Sequence, residues 1–340
     1  MSISSDAQRH MIGVTRQVED ALQRVVGRAL EGSVLSASTV SGGYSGASIY
    51  RVRVLAAGGE LEAVVKLDRP RGPNPVTPRD TAVRMYSART WSVPAVHALL
   101  RRHGLPAYDL LGWGPPDGEV PFFWVVMSAL DGVSVRDRLK GDPSELTDLF
   151  RVAGEELARV HSVARAYDGA VDLASPYDEP WGQAFFSYLR TFVSRVRERG
   201  TPAVAALLGE YWRSIETFVE DQERRWTPTS EFMLSHFDGL QAQATQHDGT
   251  WRFTGHFDLE DFSFREPRWA LAAFELGVEG VRHQRRVPAA FWDAYRANKT
   301  VDPSYNESKS VFKLFHLLDW AQMDYEPAAR AVIDLITGEW

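Results

Sequence analysis

The sequence predicts a mixed α+β protein, with a small strand-rich part followed by a larger helical part. Two observations predict this division. Short strand-like segments dominate the chain up to PFFWVVMSAL, and beyond that segment apolar residues recur mainly at helical spacing. We therefore expect two lobes, residues 1–126 and residues 127–340. At 340 residues, 44% of them hydrophobic, the chain can bury a large core without a disulfide or metal staple.

Composition excludes several classes of function. The chain has no cysteine, which excludes a disulfide framework, a thiolate zinc site, an iron–sulfur cluster and a cysteine nucleophile. The formal net charge of −7 argues against a nucleic-acid partner. No stretch is apolar enough to span a membrane, and MSISSDAQRHMIG lacks the apolar run of a signal peptide. We therefore expect a cytoplasmic protein with no membrane partner.

The first part begins with an amphipathic helix, expected over residues 6–30, and continues as strands. The strand segments are VLSASTV, ASIYRVRVLA and LEAVVKL, and Gly58-Gly59 is typical of a hairpin turn between the last two. Residues 69–80 are rich in proline and charge and predict a loop.

A second helix is expected from about residue 81 to 103, with Pro94 at a break or a new start, because proline disrupts a helix interior. The second part reads as helix over most of residues 144–225, most clearly in LTDLFRVAGEELARVHSV. EFMLSHFDGLQAQAT and TWRFTGHFDLEDFSF then predict short strands and loops, and helix follows to the end.

Two features of the first part are typical of phosphate binding. SGGYSG stands between two strands, and glycines let a backbone approach a phosphate closely, although such a segment alone favours an ordinary hairpin. Lys66 ends the run AVV on a following strand. A lysine there is usually an exposed edge residue, but behind a glycine segment it is placed to bind phosphate.

Two carboxylates in the second part complete the pattern. Asp238 follows the strand FML within His236-Phe237-Asp238, and Asp258 ends another apolar strand 20 residues later. One carboxylate can take a hydroxyl proton while the other holds Mg²⁺. Each of the four features alone favours a structural role. Their order and spacing together favour phosphoryl transfer.

These segments resemble the aminoglycoside phosphotransferase and choline kinase-like family, over about residues 35–290. The resemblance rests on segments such as AVVKLDR, LSHFDGLQAQ and FTGHFDLEDFSFREPRWALAAFE. It implies a bilobal, protein-kinase-like fold, with a small antiparallel-sheet lobe and a larger, mainly helical lobe.

The resemblance also implies a role for each site residue. In the family's H-x-D-x-x-x-x-N loop, His236 orders the loop, Asp238 acts on the acceptor hydroxyl, and Gln243 takes the place of Asn. Gln243 and Asp258 would hold Mg²⁺. The implied contacts to ATP or GTP are Gly42, Gly43, Ser45, Gly46, Lys66 and a hinge that includes Met127, Ser128 and Leu130.

The chain departs from the family at three places. Gln243 is one methylene longer than the usual Asn. No glutamate stands near Thr90 to pair with Lys66, so we expect Lys66 to be less well fixed unless Asp80 substitutes. Ala270 replaces an aspartate that orders the catalytic loop in the family, which predicts a rewired support for that loop.

The function expected is transfer of phosphate from ATP or GTP to a hydroxyl of a small molecule, either in antibiotic resistance or in natural-product biosynthesis. Acidic residues such as Glu275 and Glu279, among aromatic residues, would suit an amine-bearing substrate. One alternative is a catalytically impaired, pseudokinase-like protein that binds a nucleotide or small molecule. Another is a related fold used for a different reaction.

Overall fold

The computed structural model describes residues 11–12, 15–40, 47–69, 81–86, 89–142, 144–281 and 285–340. The chain divides into two compact units. The first comprises residues 1–77, 88–132 and 254–260, and the second comprises residues 78–87, 133–253 and 261–340. The predicted glycine segment, residues 41–46, lies outside the described residues, as does almost all of the predicted loop 69–80.

The first unit contains a six-stranded sheet in the order β1-β2-β3-β4-β6-β5. Neighbouring strands are antiparallel except for β1 and β2, which are parallel. The strands are β1 (Met11–Ile12), β2 (Ser33–Thr39), β3 (Ser48–Ala56), β4 (Gly59–Asp68), β5 (Leu110–Gly114) and β6 (Phe123–Ser128).

One helix, α1 (Arg16–Leu30), packs on this sheet. Its apolar stripe, which includes Leu22 and Val26, is fully buried in one cluster with Val52, Val65 and Val126 of the sheet. The predicted helix over residues 6–30 is wrong at residues 11–12, which form β1. The helix begins only after Thr15, whose backbone is extended.

The helical region expected over residues 81–103 is divided, and the break or new start expected at Pro94 is confirmed. The segment forms α2 (Thr81–Tyr86), a short 3₁₀ turn (Thr90–Ser92) and α3 (Val93–Arg102). Pro94 lies in the first turn of α3, where its missing N–H costs no hydrogen bond. The proline therefore marks a new start.

The second unit is mainly helical. Its helices are α2, α4 (Val135–Arg138), α5 (Thr147–His161), α6 (Trp181–Arg199), α7 (Pro202–Leu208), α8 (Trp212–Arg224), α9 (Pro267–Glu279), α10 (Ala289–Asn298), α11 (Tyr305–Gln322) and α12 (Glu326–Thr337). Helices α5 and α10 approach closely at Gly154, where a side chain would collide with the carbonyl oxygen of Phe291.

The second unit also contains two small sheets of short strands. A four-stranded sheet has the order β8-β10-β13-β9, and a three-stranded sheet has the order β12-β11-β7. The strands are β7 (Val133–Ser134), β8 (Ala164–Arg165), β9 (Gly169–Ala170), β10 (Phe232–His236), β11 (Ala242–His247), β12 (Thr250–His256) and β13 (Phe262–Arg265). β12 begins in the second unit, and its last residues belong to the first.

The mixed α+β fold predicted from the sequence is confirmed, with an antiparallel sheet in the first unit and mostly helices in the second. Among the described residues, no helix combines the length and the apolar character needed to cross a bilayer.

Candidate active site

Lys66 lies near the end of β4, where it pairs with Ile49 of β3 and Val125 of β6. Only 5% of the residue is exposed. An ammonium group at that depth requires a charged partner, because burying an unpaired charge is costly. The pairing of β4 thus fixes the backbone of Lys66, and the ion-pair partners of the side chain determine the position of its ammonium group.

Those partners are two carboxylates that follow β12. The Lys66 ammonium forms an ion pair with Glu260, and its Nζ lies 3.4 Å from Oδ1 of Asp258. The expectation of a poorly fixed Lys66 is therefore wrong. Glu260, which is buried, supplies the missing negative charge from the segment HFDLED.

Of the two positions considered as partners of Lys66, the structure describes only Thr90. Thr90 donates a hydrogen bond to Oδ2 of Asp68 at 3.0 Å, and Asp80 lies outside the described residues. The sequence did not indicate Glu260 as the partner of Lys66, because the two residues are far apart along the chain and meet only in the folded protein.

Asp258 adopts an uncommon backbone conformation. Its φ is 52°, in the left-handed region that costs energy for a residue with a side chain. Its side chain is 37% exposed, which leaves the carboxylate accessible beside Lys66. Strained backbone of this kind concentrates at functional sites.

The predicted hinge continues from β6. Met127 pairs with Val64 of β4 and with Leu110 of β5. Ser128 is already bound to Asp109, to whose carbonyl it donates its N–H at 2.9 Å and from whose N–H its hydroxyl accepts at 2.8 Å. Leu130 packs against Gly255, where a Cβ would lie 2.7 Å from its Cδ2.

The catalytic loop predicted in the second unit follows β10. His236 is the last residue of that strand, and its Nδ1 accepts a hydrogen bond from the backbone N–H of Asp238 at 3.0 Å. Gly239 then turns the chain with φ 85°, and a Cβ there would lie 2.6 Å from the backbone nitrogen of Phe274. Only glycine satisfies both the positive φ and the close approach.

Asp238 has its hydrogen-bond partners on one oxygen. Oδ2 accepts from Nη1 of Arg136 at 2.8 Å and from Nε2 of Gln241 at 3.3 Å. Burial is the largest single effect on Asp238 and opposes its ionisation, but the charge of Arg136, together with His236, His316 and the hydrogen bond from Gln241, lowers the pKa below its usual range. Within the described residues, Oδ1 has no recorded hydrogen bond.

Sequence reasoning missed both partners of Asp238. Arg136 is 102 residues away in the chain and has no place in the motif. Gln241 lies inside the motif, but the spacing directs attention to Gln243. The structure places Gln243 in β11, half-buried and opposite Ser134 of β7.

Support for the catalytic loop comes from the start of α9. Ala270 is fully buried, and the neighbouring Trp269 donates its indole N–H to the carbonyl of Phe237 at 3.4 Å. Glu266 caps the helix by accepting from the backbone N–H of Arg268, with which its side chain also pairs. The rewired support thus uses an indole where the resemblance implies a carboxylate.

A second acidic group lies in the same unit. The hydroxyl of Tyr86 donates to Oδ1 of Asp319 at 3.2 Å, and its ring stacks on Phe237 at 5.1 Å. Burial, aided by the charge of Asp238, raises the pKa of Asp319 to about 6. Burial also lowers the pKa of His316 to about 4, so this imidazole is neutral at neutral pH.

The acidic wall expected at Glu275 and Glu279 is wrong. Both side chains are buried and paired with lysines of α11: Lys313 lies 3.0 Å from Glu275 and 2.7 Å from Glu279, and Lys309 lies 3.1 Å from Glu275. These carboxylates are neutralised within the protein and are not available to bind an amine.

Comparisons with known proteins agree with this fold and these motifs. The model of the phosphotransferase enzyme family (APH) matches residues 37–297, and the chain belongs to this family. No curated protein matches the chain. As a member of the family, it is a phosphotransferase that acts on a hydroxyl of a small molecule.

Solved structures with the same fold cover nearly the whole chain. A macrolide 2'-phosphotransferase from Brachybacterium faecium is 16% identical with a TM-score of 0.54, and the match covers 91% of this chain and 97% of that one. An aminoglycoside phosphotransferase APH(4)-Ia variant, in a ternary complex with ADP and hygromycin B, is 14% identical with a TM-score of 0.52. That match covers 93% of this chain and 98% of the other.

Proposed function

We propose that this chain transfers the γ-phosphoryl group of ATP or GTP to a hydroxyl of a small molecule, either an antibiotic or a natural-product intermediate. The observation that carries the proposal is the geometry of Asp238, a carboxylate that is ion-paired with Arg136 and accepts hydrogen bonds on Oδ2 alone. The Asp238 loop is held by His236 and Trp269. Such a group can orient a hydroxyl for attack.

In the proposed step, the acceptor hydroxyl donates its hydrogen bond to Oδ1 of Asp238. The acceptor oxygen bonds to the γ-phosphorus, and the bond from that phosphorus to the bridging oxygen breaks, which releases the nucleoside diphosphate. The hydroxyl proton passes to Asp238. Because the transition state is loose, the proton moves late, and a weakly basic carboxylate is sufficient.

The nucleotide is assigned to residues of the first unit. Lys66 would bind its phosphates. Gly42, Gly43, Ser45 and Gly46, which the resemblance also assigns to the phosphates, lie outside the described residues. The hinge from Met127 to Leu130 would bind the base. Because the N–H of Ser128 already donates to Asp109, we assign the base contact mainly to backbone groups flanking that residue.

The donor atoms fit a magnesium ion that accompanies the nucleotide. Asp258 offers an accessible carboxylate, and Gln243 offers an amide oxygen, both hard ligands of the kind that Mg²⁺ prefers. The described residues contain no cluster of three metal-binding side chains, which suits an ion held by one or two protein groups and by phosphates. Bound there, the ion would neutralise charge on the phosphates.

The test is the mass of a candidate acceptor after incubation with Mg²⁺ and ATP or GTP. A gain of about 80 Da, one phosphoryl group, is expected with the wild type. Asp238→Asn should lower kcat by about 10²- to 10⁴-fold and leave nucleotide binding nearly unchanged. Asp137→Asn, which alters an exposed carboxylate on α4, is the matched control.

Near-normal turnover by Asp238→Asn would remove Asp238 from the chemistry. Tight nucleotide binding with no phosphorylated product from any acceptor would favour the pseudokinase-like alternative. Competition between ATP and GTP in the same titration identifies the preferred nucleotide.

A further inference from the structure

Arg136 has unused hydrogen-bonding capacity beside the proposed catalytic group. It lies on α4, whose first turn is capped by the hydroxyl of Ser134. Nη1 contacts Asp238, and the side chain is 27% exposed. A guanidinium carries five N–H donors, so one contact leaves most of the group available to a ligand.

The other arginines near this loop are occupied. Arg265 donates to the carbonyl oxygens of Met85 and Tyr86, and Arg84 binds both carboxylate oxygens of Asp168. Both are buried. Arg136 therefore differs from them in being accessible and in having one recorded partner within the described residues.

The space around Arg136 has one cation, one anion and apolar walls. A narrow cleft beside Asp238, with a volume of about 10 Å³ that is no more than one water molecule needs, is lined by Arg136, Leu139, Leu240, Phe274, Gly277 and Val278. Glu275 and Glu279, on the same helix as Phe274, are neutralised by Lys309 and Lys313. Among the residues that the structure describes, Asp238 is the one carboxylate in the lining of the cleft.

An arginine in this setting recognises an oxyanion. Its planar fork binds a carboxylate or phosphate through two parallel hydrogen bonds, which an ammonium cannot do. In the protein alone, Asp238 occupies part of that fork. An acidic group on a substrate can take the remaining donors while Asp238 keeps Oδ1 for the hydroxyl.

We propose that Arg136 binds an acidic group of the acceptor, next to the hydroxyl that Asp238 activates, so that the acceptor is a hydroxy acid or a phosphorylated alcohol. This inference rests on the proposed function, because it takes Asp238 as the acceptor-binding group. Since Nη1 of Arg136 lies 2.8 Å from Oδ2 of Asp238, the acid and the hydroxyl are a few bonds apart in the acceptor.

The test compares compounds that share a carbon skeleton and differ in one group. The probes are glycerol, glycerate, glycerol 3-phosphate and 3-amino-1,2-propanediol, with glucose, gluconate and glucosamine as a second set. Dissociation constants are measured by calorimetry with the full chain. We expect an acidic member to bind at least about 10-fold more tightly than its neutral counterpart, a typical effect of one charged hydrogen bond.

Variants then test whether Arg136 is responsible for the preference for acidic compounds. Arg136→Gln should abolish it, Arg136→Lys should retain part of it, and Arg138→Gln should leave it unchanged. Arg138 is the matched control because it is exposed on the same helix and carries the same charge. If Arg136→Gln does not fold, the wild-type comparison and Arg136→Lys still decide the question.

Three results would overturn the proposal. The first is that the acids bind no more tightly than the neutral compounds. The second is that the amines bind most tightly, and the third is that the preference for acids survives Arg136→Gln. A nucleotide titration separates this inference from the proposed function. If Arg136→Gln weakens Mg²⁺–ATP binding and leaves acceptor preference intact, Arg136 acts on nucleotide phosphates, and the proposed function stands without the acidic acceptor.

Discussion

Two charged clusters differ in net charge: Lys66 with Asp258 and Glu260 (the Lys66 cluster), and Asp238 with Arg136 (the Asp238 cluster). Lys66 in the first unit contacts two carboxylates, Asp258 and Glu260, so that cluster has an excess of negative charge. Asp238 in the second unit contacts one cation, Arg136, and its cluster is balanced. The excess in the first unit favours an additional cation, whereas the balance in the second keeps a carboxylate ionised and oriented.

The largest effect is expected when the divalent cation that the Lys66 cluster favours is removed. Chelating Mg²⁺ should weaken ATP or GTP binding by roughly 100-fold, because a bridging metal supplies several kcal/mol. Asp258→Ala should lose this Mg²⁺ enhancement and keep the weak metal-free binding, as measured by nucleotide titration with and without chelator.

Asp258→Asn controls for the backbone, since Asn tolerates the left-handed conformation that Asp258 adopts. It should behave like Asp258→Ala. Tight binding without any divalent ion, unchanged in both variants, would contradict the role given to Asp258.

The buried carboxylate of Asp319, in the second unit, predicts a pH dependence of the free energy of unfolding. Burial raises the pKa of Asp319 to about 6, above its ordinary value of 3.8, so the folded state holds this proton more tightly than the unfolded state. The stability that Asp319 contributes is therefore complete below about pH 4 and is lost as the pH rises through 6. Asp319→Asn should remove this loss and gain on the order of 2 kcal/mol at pH 8 relative to pH 4.

Urea unfolding of wild type and Asp319→Asn at several pH values measures this difference. Asp324→Asn, which alters an exposed carboxylate bound to Thr201, is the control. A constant difference between Asp319→Asn and wild type from pH 4 to pH 8 would show that the proton on Asp319 is not coupled to folding.

A smaller effect tests whether Glu260 fixes Lys66. Glu260→Gln should weaken nucleotide binding by about 10-fold, because Lys66 loses its buried partner and its orientation toward phosphate. Glu260→Asp should retain more affinity.

Thermal unfolding of the same variants separates positioning from folding. If nucleotide affinity falls only in proportion to lost stability, then Glu260 serves the fold alone.

The smallest effect concerns Gln243 on β11. If Gln243 is a metal ligand, Gln243→Asn should change the Mg²⁺ dependence of nucleotide binding by only a few-fold, because both residues present an amide oxygen. Gln243→Ala should weaken that dependence further. Equal Mg²⁺ dependence in wild type and both variants would exclude Gln243 as a ligand and direct attention to Gln241, which contacts Asp238.

The elements were predicted best where the pattern is local. The alternation along β3 and β4 and the apolar spacing of α5 each identify a structure within one segment. From residue 81 to 102 the sequence predicted helix with a break or new start at Pro94, but it did not show that the helical residues are divided between the two units. Tertiary packing overrides a continuous helical pattern in such a case.

The sequence by itself determined the family and predicted the candidate site residues. Lys66 lies near the end of a strand, and Asp238 and Asp258 follow strand ends, at spacings that are visible along the chain, because strands and tight turns are set by short-range sterics and local hydrogen bonds. Only the tertiary structure decided which charges meet. Lys66 meets Asp258 across 192 residues, and Asp238 meets Arg136 across 102. Coulomb energy depends on distance in space and on burial, neither of which can be read from separation along the chain.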